Sequence, residues 1–140
     1  MSKTFRCPFC NLEYLYKDIQ KHFDTDCKVS KKTLKFQPEL VPLILDGSKT
    51  TTWRLFDDKN LATGDIIIFI KRPELVSFAL AKLTSVIEKP LGQLTDDDKR
   101  GHEAFASNEK MYEWYTNVYH RLVTPETLVK LVQFELLDQF

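Results

Sequence analysis

Apolar and polar residues change their spacing several times along the chain, and each change marks an element. Thr33-Leu34-Lys35-Phe36 alternates with the period of two expected of a strand. Residues 38–46 form an apolar run with prolines near its start and Gly47 just past its end, which predicts a helix. Residues 50–55 are β-branched and aromatic and predict a strand. Thr63-Gly64-Asp65 reads as a turn, and residues 66–71 read as a buried strand. A longer strand is predicted over 78–86, an aromatic-rich helix capped at Ser107 or Asn108 over 108–121, and a last strand over 128–137. Five strands with helices between them, but no βαβ rhythm, predict an α+β barrel. Tyr112, Tyr115 and Tyr119 recur at i, i+3 and i+7, as a stripe laid over that barrel.

The first 30 residues follow a different logic. Cys7-Pro8-Phe9-Cys10 is followed, after eleven residues, by His22 and, after four more, by Cys27; the chain has three cysteines in all. Two thiolates on a tight turn, with a His and a Cys approaching from a short helix, supply the four corners of a zinc tetrahedron. Ile19, His22 and Phe23 share one face of a helix predicted over 17–24, so the ligand sits beside an apolar plug. A segment this short buries too little to fold alone, and a metal cross-link orders it. Four protein ligands leave no open position, so one structural zinc per chain is expected, held by Cys7, Cys10, His22 and Cys27. The division that follows is a zinc finger at 1–28, a basic linker at 29–32 and a second domain at 33–140.

Composition narrows the class. The longest apolar run, Ile66 to Ile70, is too short to cross a bilayer, and the start Met-Ser-Lys-Thr-Phe-Arg has no apolar signal core, so an intracellular protein with reduced cysteines and no membrane partner is expected. The formal net charge of zero hides seven Lys or Arg against four Asp or Glu in residues 1–32, and thirteen against sixteen in 33–140. A bound zinc with three thiolates removes about one positive charge from the finger, so charge alone does not announce nucleic acid. Lys28, Lys31 and Lys32 are the local basic exception.

Chemistry concentrates in Gly47-Ser48-Lys49-Thr50-Thr51-Thr52-Trp53-Arg54. On a strand Thr52 and Arg54 project to the same side, and Lys49 enters from the turn, which gathers two cations and a hydroxyl. A threonine hydroxyl becomes a nucleophile when a neighbouring base takes its proton; a lysine does this when burial or a nearby cation such as Arg54 lowers its pKa. Trp53 borders the motif as a surface for stacking a base. His102 and His120 have no cysteine or histidine nearby and read as ordinary.

Two resemblances extend this reading. Cys7-Pro8-Phe9-Cys10, His22-Phe23-Asp24 and Cys27 resemble the small Cys-Cys-His-Cys fingers of DNA-repair ubiquitin ligases, which implies a ubiquitin or other protein partner; nucleic-acid binding and simple stabilisation of the neighbouring domain remain open beside it. The body is more extensive. The Gly47-to-Arg54 segment, Gly64-Asp65-Ile66-Ile67, residues 79–86, Leu94-Thr95 with Asp96 to Asp98, His102-Glu103-Ala104-Phe105 and Phe134-Glu135-Leu136 resemble, in order, the ASCH family. That resemblance implies a small PUA-like β-barrel with inserted helices and a cleft at the Gly47–Arg54 segment, where Gly47, Trp53 and Arg54 meet the ligand. The implied partners are RNA, single-stranded nucleic acid or a modified nucleoside. One enzymatic branch deacetylates acetylcytidine with a lysine, a threonine and a glutamate, placed by the resemblance on Lys49, Thr52 and Glu103. The competing class is a non-catalytic adaptor, with a protein partner on the finger and nucleic acid on the barrel.

Overall fold

The computed structural model describes residues 4–23, 31–102 and 104–140. Strands β1 (Thr4–Arg6) and β2 (Glu13–Leu15) pair as a small antiparallel hairpin, followed by a 3-10 turn at Tyr16–Asp18 and a single helical turn, α1 (Ile19–Lys21). A second sheet holds β3 (Lys32–Phe36), β4 (Thr51–Leu55), β5 (Ile66–Lys71), β6 (Val76–Pro90) and β7 (Leu128–Gln139) in the order β3-β5-β6-β7-β4. Only β3 and β5 run parallel; the other neighbours are antiparallel. Helix α2 (Val41–Leu45) lies in the β3–β4 connection and α3 (Asn108–Tyr119) in the β6–β7 connection. Register shifts at Phe69/Ile70, Leu80/Ala81 and Leu83/Ser85 bend the central strands, and the sheet curls into a half-barrel. This is the α+β architecture expected from the sequence.

The curl encloses one core. Leu34, Phe36, Ile67, Phe69, Ala81, Leu83, Val132 and Phe134 pack inside it against Val41 and Ile44 of α2. A second cluster joins Trp53, Leu55, Val129 and Leu131 of the sheet to Met111 and Tyr115 of α3, with Tyr112 and Tyr119 packed at its edge, so the tyrosine stripe does cover the barrel. The remaining side chains of β5 point the other way and are buried too. Ile68 and Leu80 form a third cluster with Phe5, Cys7, Ile19 and Phe23, flanked by Ile66 and Ile70. An unbroken apolar run on a strand means both faces are covered, and here the N-terminal segment covers the second face. Phe140 adds edge-on contacts with Phe5 at 5.5 Å between ring centroids, and Tyr16 Oη donates to Asp138 at 2.5 Å.

Three boundaries differ from the sequence reading. Strand β6 extends to Val76 and Pro90 because it has two partners, β5 along its first half and β7 along its second; its polar residues, such as Glu88 opposite Lys130, lie on the solvated side of a ladder that continues regardless. The helix expected over 38–46 opens as a 3-10 turn at Pro38–Leu40 before α2, and Gly47, at φ 85°, ends it. Lys32, expected in the linker, opens β3, and its Nζ bonds Asp65 at 2.8 Å and the Asn60 carbonyl at 2.7 Å. No helix among the described residues is long and apolar enough to cross a membrane.

Candidate functional site

The N-terminal hairpin brings Cys7, Cys10 and His22 together. The tight turn is closed by the Cys7 amide donating to the Leu12 carbonyl at 2.9 Å and the Asn11 amide donating to the Cys7 carbonyl at 2.8 Å, with Asn11 in the left-handed conformation at φ 63°. Cys10 Sγ lies 3.5 Å from His22 Nε2, and the donor atoms of all three residues fall within 4.8 Å of one another. Cys7 and His22 are fully buried, and Tyr14 stacks on the His22 ring at 3.7 Å. Two thiolates and an imidazole at this separation suit a tetrahedral divalent metal. Cys27, the fourth expected ligand, lies outside the described residues.

The second site is a cleft of about 540 Å³ between the start of α2, β4 and α3. Lys49, Thr52, Trp53 and Arg54 all line it, so the sequence motif converges on one cavity. Gly47 does not line it and serves as the helix stop. Glu103, the third residue of the implied catalytic set, lies outside the described residues. Lys49 is 3% exposed and its Nζ donates to the Thr51 carbonyl at 2.9 Å; Thr52 is 4% exposed.

Electrostatics give the cleft its character. Lys35, Lys49, Arg54, Lys59 and Arg72 line it, against Asp57 and Asp58. Burial works to raise the Asp57 carboxyl, but hydrogen bonds from Lys130 Nζ at 2.8 Å and from the Lys59 and Leu61 amides outweigh it and hold the group below the usual carboxylate range. Asp57 is thus already engaged. Arg54 is different: it lies over the Phe36 ring at 4.7 Å, one terminal nitrogen donates to the Lys35 carbonyl at 3.1 Å, and its Nε is buried with no acceptor. No carboxylate of the described residues pairs with it. Burial draws its guanidinium below the ordinary value, and Arg72 adds to the effect. Lys59 is lowered by burial and then by Arg54 and Lys35; its Nζ is anchored on the Thr33 carbonyl. Mutual depression by like charges is the mark of a cluster poised for an anion.

One wall of the cleft was not legible as such in the sequence. The amides of Thr50 and Thr51 both donate to the Gly101 carbonyl, at 2.9 and 3.1 Å, tying the 95–102 segment to β4. Gly101 sits at φ 72°, and a Cβ there would stand 2.1 Å from Thr50 Oγ1, so only glycine allows this approach. Asp98 anchors the other end of the segment: its carboxylate accepts from Lys89 Nζ at 2.5 Å and from the Thr95 amide at 2.8 Å. His102 is thereby laid flat on Trp53, 3.7 Å between centroids and 11° between planes. His102, read as ordinary, is a cleft residue, and its one local signal was the adjoining glycine. The Trp53 Nε1–H is buried without an acceptor among the described residues; such groups are rare in native folds. Trp114, 44% exposed, and Val118 form the lip on α3.

Comparison of the fold with solved structures finds clear likenesses. A protein of Enterococcus faecalis V583, described as DUF984, superposes with a TM-score of 0.69 at 15% identity, over 89% of this chain and 91% of that one. An ASCH domain from Lactobacillus crispatus JV V101 gives 0.59 at 15% identity, over 84% and 90%. An ASCH protein of Zymomonas mobilis, in a single-residue variant, gives 0.56 at 16% identity, over 76% and 67%. No family model and no curated protein sequence matches the chain. What the solved structures share with this chain is the fold, the α+β half-barrel of ASCH and PUA-like domains.

Proposed function

We propose that this chain is an ASCH-type protein whose cleft binds a nucleotide, either free or within single-stranded RNA, and whose N-terminal finger carries one structural zinc. The observation that carries the first half is Arg54, a buried guanidinium with an unspent Nε donor and no carboxylate partner among the described residues, set among Lys35, Lys59 and Arg72. A buried cation without a counter-charge is costly unless a ligand supplies one, and a phosphate answers both its charge and its fork of donors. Exposed Trp114 beside it offers a face for the base. The ASCH proteins of similar fold favour the same ligand class.

For the finger, the donor set Cys7, Cys10 and His22 supports zinc, with Cys27 as the fourth ligand. Ile19 and Phe23, the apolar residues of its helical turn, are committed to the outer face of the sheet. This favours a brace for the barrel over a ubiquitin-docking surface.

A second reading, amide hydrolysis of an acylated cytidine, is favoured by buried Lys49 and Thr52 lining the same cleft. Thr52 Oγ1 attacks the acyl carbon while neutral Lys49 takes its proton; Glu103 returns a proton to the leaving amine, and water then releases the acid from threonine. Release of cytidine from acetylcytidine by the wild type and none by Thr52→Ala supports it; equal release by both proteins ends it.

Binding itself is tested by tryptophan fluorescence. Titration with cytidine 5′-monophosphate is expected to quench Trp114 emission, with affinity lost at least tenfold in Arg54→Gln at unchanged melting temperature. A wild type that responds to neither this nucleotide nor short single-stranded RNA refutes the proposal.

A further inference from the structure

A second cavity lies behind the wall that Trp53 and His102 form. It holds about 300 Å³, shares Trp53 and His102 with the cleft, and is completed by Lys99, Phe105, Ala106, Ser107 and Met111, among others. We infer that this cavity is a second base-binding compartment, so that the protein reads two consecutive nucleotides of a single strand and not one nucleoside alone. The inference rests on the nucleotide-binding reading of the cleft.

The shared wall is the reason. The rings of Trp53, His102 and Phe105 lie within 11° to 27° of one another, with centroids 3.7 to 6.5 Å apart. Near-parallel rings spaced this way present flat faces, the surface on which successive bases of a single strand stack. At this volume the cavity is at the small end of ligand sites, a fit for one heteroaromatic base and not for a second extended ligand. Its lining is chemically matched. Phe105 and Met111 give apolar walls, Lys99 stands exposed at the rim, and none of the described lining residues is acidic. The α3 N-terminus, with Ser107 as its cap, opens onto the same space, adding the positive end of a helix dipole near a strand's phosphate. With five cationic side chains in the cleft and Lys99 at the rim, a phosphate bridging the two compartments meets positive charge on both sides.

The test compares cytidine 5′-monophosphate with the dinucleotide pCpC by isothermal titration calorimetry on the full chain, in the wild type and in Ala106→Trp. Ala106 is exposed at the small cavity and absent from the cleft lining, so an indole there plugs one compartment and spares the other. The dinucleotide is expected to bind the wild type about tenfold or more tightly than the mononucleotide, in line with one further stacked base. Ala106→Trp removes that gain and leaves mononucleotide affinity unchanged. Lys99→Glu, a surface change with no core contact to disturb, is expected to reduce the gain as well. Equal affinities for the two ligands, or a gain that survives in Ala106→Trp, overturns the second compartment while leaving the cleft reading intact. Failure of both ligands to bind overturns both.

Discussion

Replacing Phe23 by alanine tests whether finger and barrel form one cooperative structure. Phe23 is 7% exposed and its ring meets Phe5 at 5.8 Å, Phe9 at 6.2 Å and Phe140 at 6.0 Å, in the cluster that also holds Ile68 and Leu80 of the sheet. Truncating a buried Phe to Ala costs about 3–5 kcal/mol through lost transfer energy and the cavity left behind. Metal binding to a segment of this size is coupled to its folding, so the loss appears in apparent zinc affinity. At about 1.4 kcal/mol per tenfold, the expectation is a roughly 100- to 1,000-fold weaker zinc affinity. Phe23→Leu keeps much of the apolar volume and should lose less than tenfold. The assay is competition for zinc against a chromophoric chelator with the full chain, and amide exchange on β5 and β6 runs alongside it. Faster exchange at Ile68 and Leu80 is expected in Phe23→Ala as the outer face opens. Wild-type zinc affinity in Phe23→Ala refutes the reasoning, because it means the finger folds without its contact to the sheet.

Further outcomes follow from the same geometry. Gly101→Ala forces a side chain into a left-handed backbone and against Thr50 Oγ1, so the chain should lose about 2 kcal/mol of stability in urea unfolding and His102 should leave Trp53, read as a changed Trp emission. Tyr16 is pushed up to about 12, first by its hydrogen bond to Asp138, then by burial and the carboxylate's charge. The folded state therefore holds the phenolic proton where the unfolded chain has lost it. The Tyr16 contribution is full below pH 10 and is lost as pH climbs from about 10 to 12, and Tyr16→Phe should flatten that part of an alkaline melting curve. Asp98 is held below the usual carboxylate range by its bonds to Lys89 and the Thr95 amide, so the 95–102 segment should loosen as pH falls through the acid range, an effect that Asp98→Asn should abolish in amide-exchange profiles.

How much of this was legible in the sequence depends on whether the signal was local. The strand at Ile66–Lys71 announced itself because five apolar residues in a row satisfy both faces of a strand at once, yet the sequence did not say what covered the second face. That partner is the N-terminal segment, and its contact with the sheet joins residues more than 50 positions apart, such as Gln20 Oε1 and the Ser77 amide at 2.6 Å. Lys49, Thr52 and Arg54 were legible because one strand and one turn place them, and they do share a cavity. The strand over 76–90 was underestimated because Glu88 and Lys89 look like a loop until β7 is seen beside them. His102 was missed because its place is set by a backbone contact between Gly101 and Thr50, which no periodicity encodes.

The central claim, that the cleft of Arg54 is an anion site for single-stranded nucleic acid, is tested most directly by salt-dependent binding of a short single-stranded RNA to the wild type, Arg54→Gln and Arg72→Gln. Arg72 is exposed at the cleft rim, so its loss does not disturb the core. The account predicts wild-type affinity falling with salt at a log–log slope of about −1.5 to −2, as two or three phosphate contacts give on a single strand, with a shallower slope in Arg72→Gln and at least tenfold weaker binding in Arg54→Gln. Binding that ignores salt, or that survives unchanged in both variants, contradicts it.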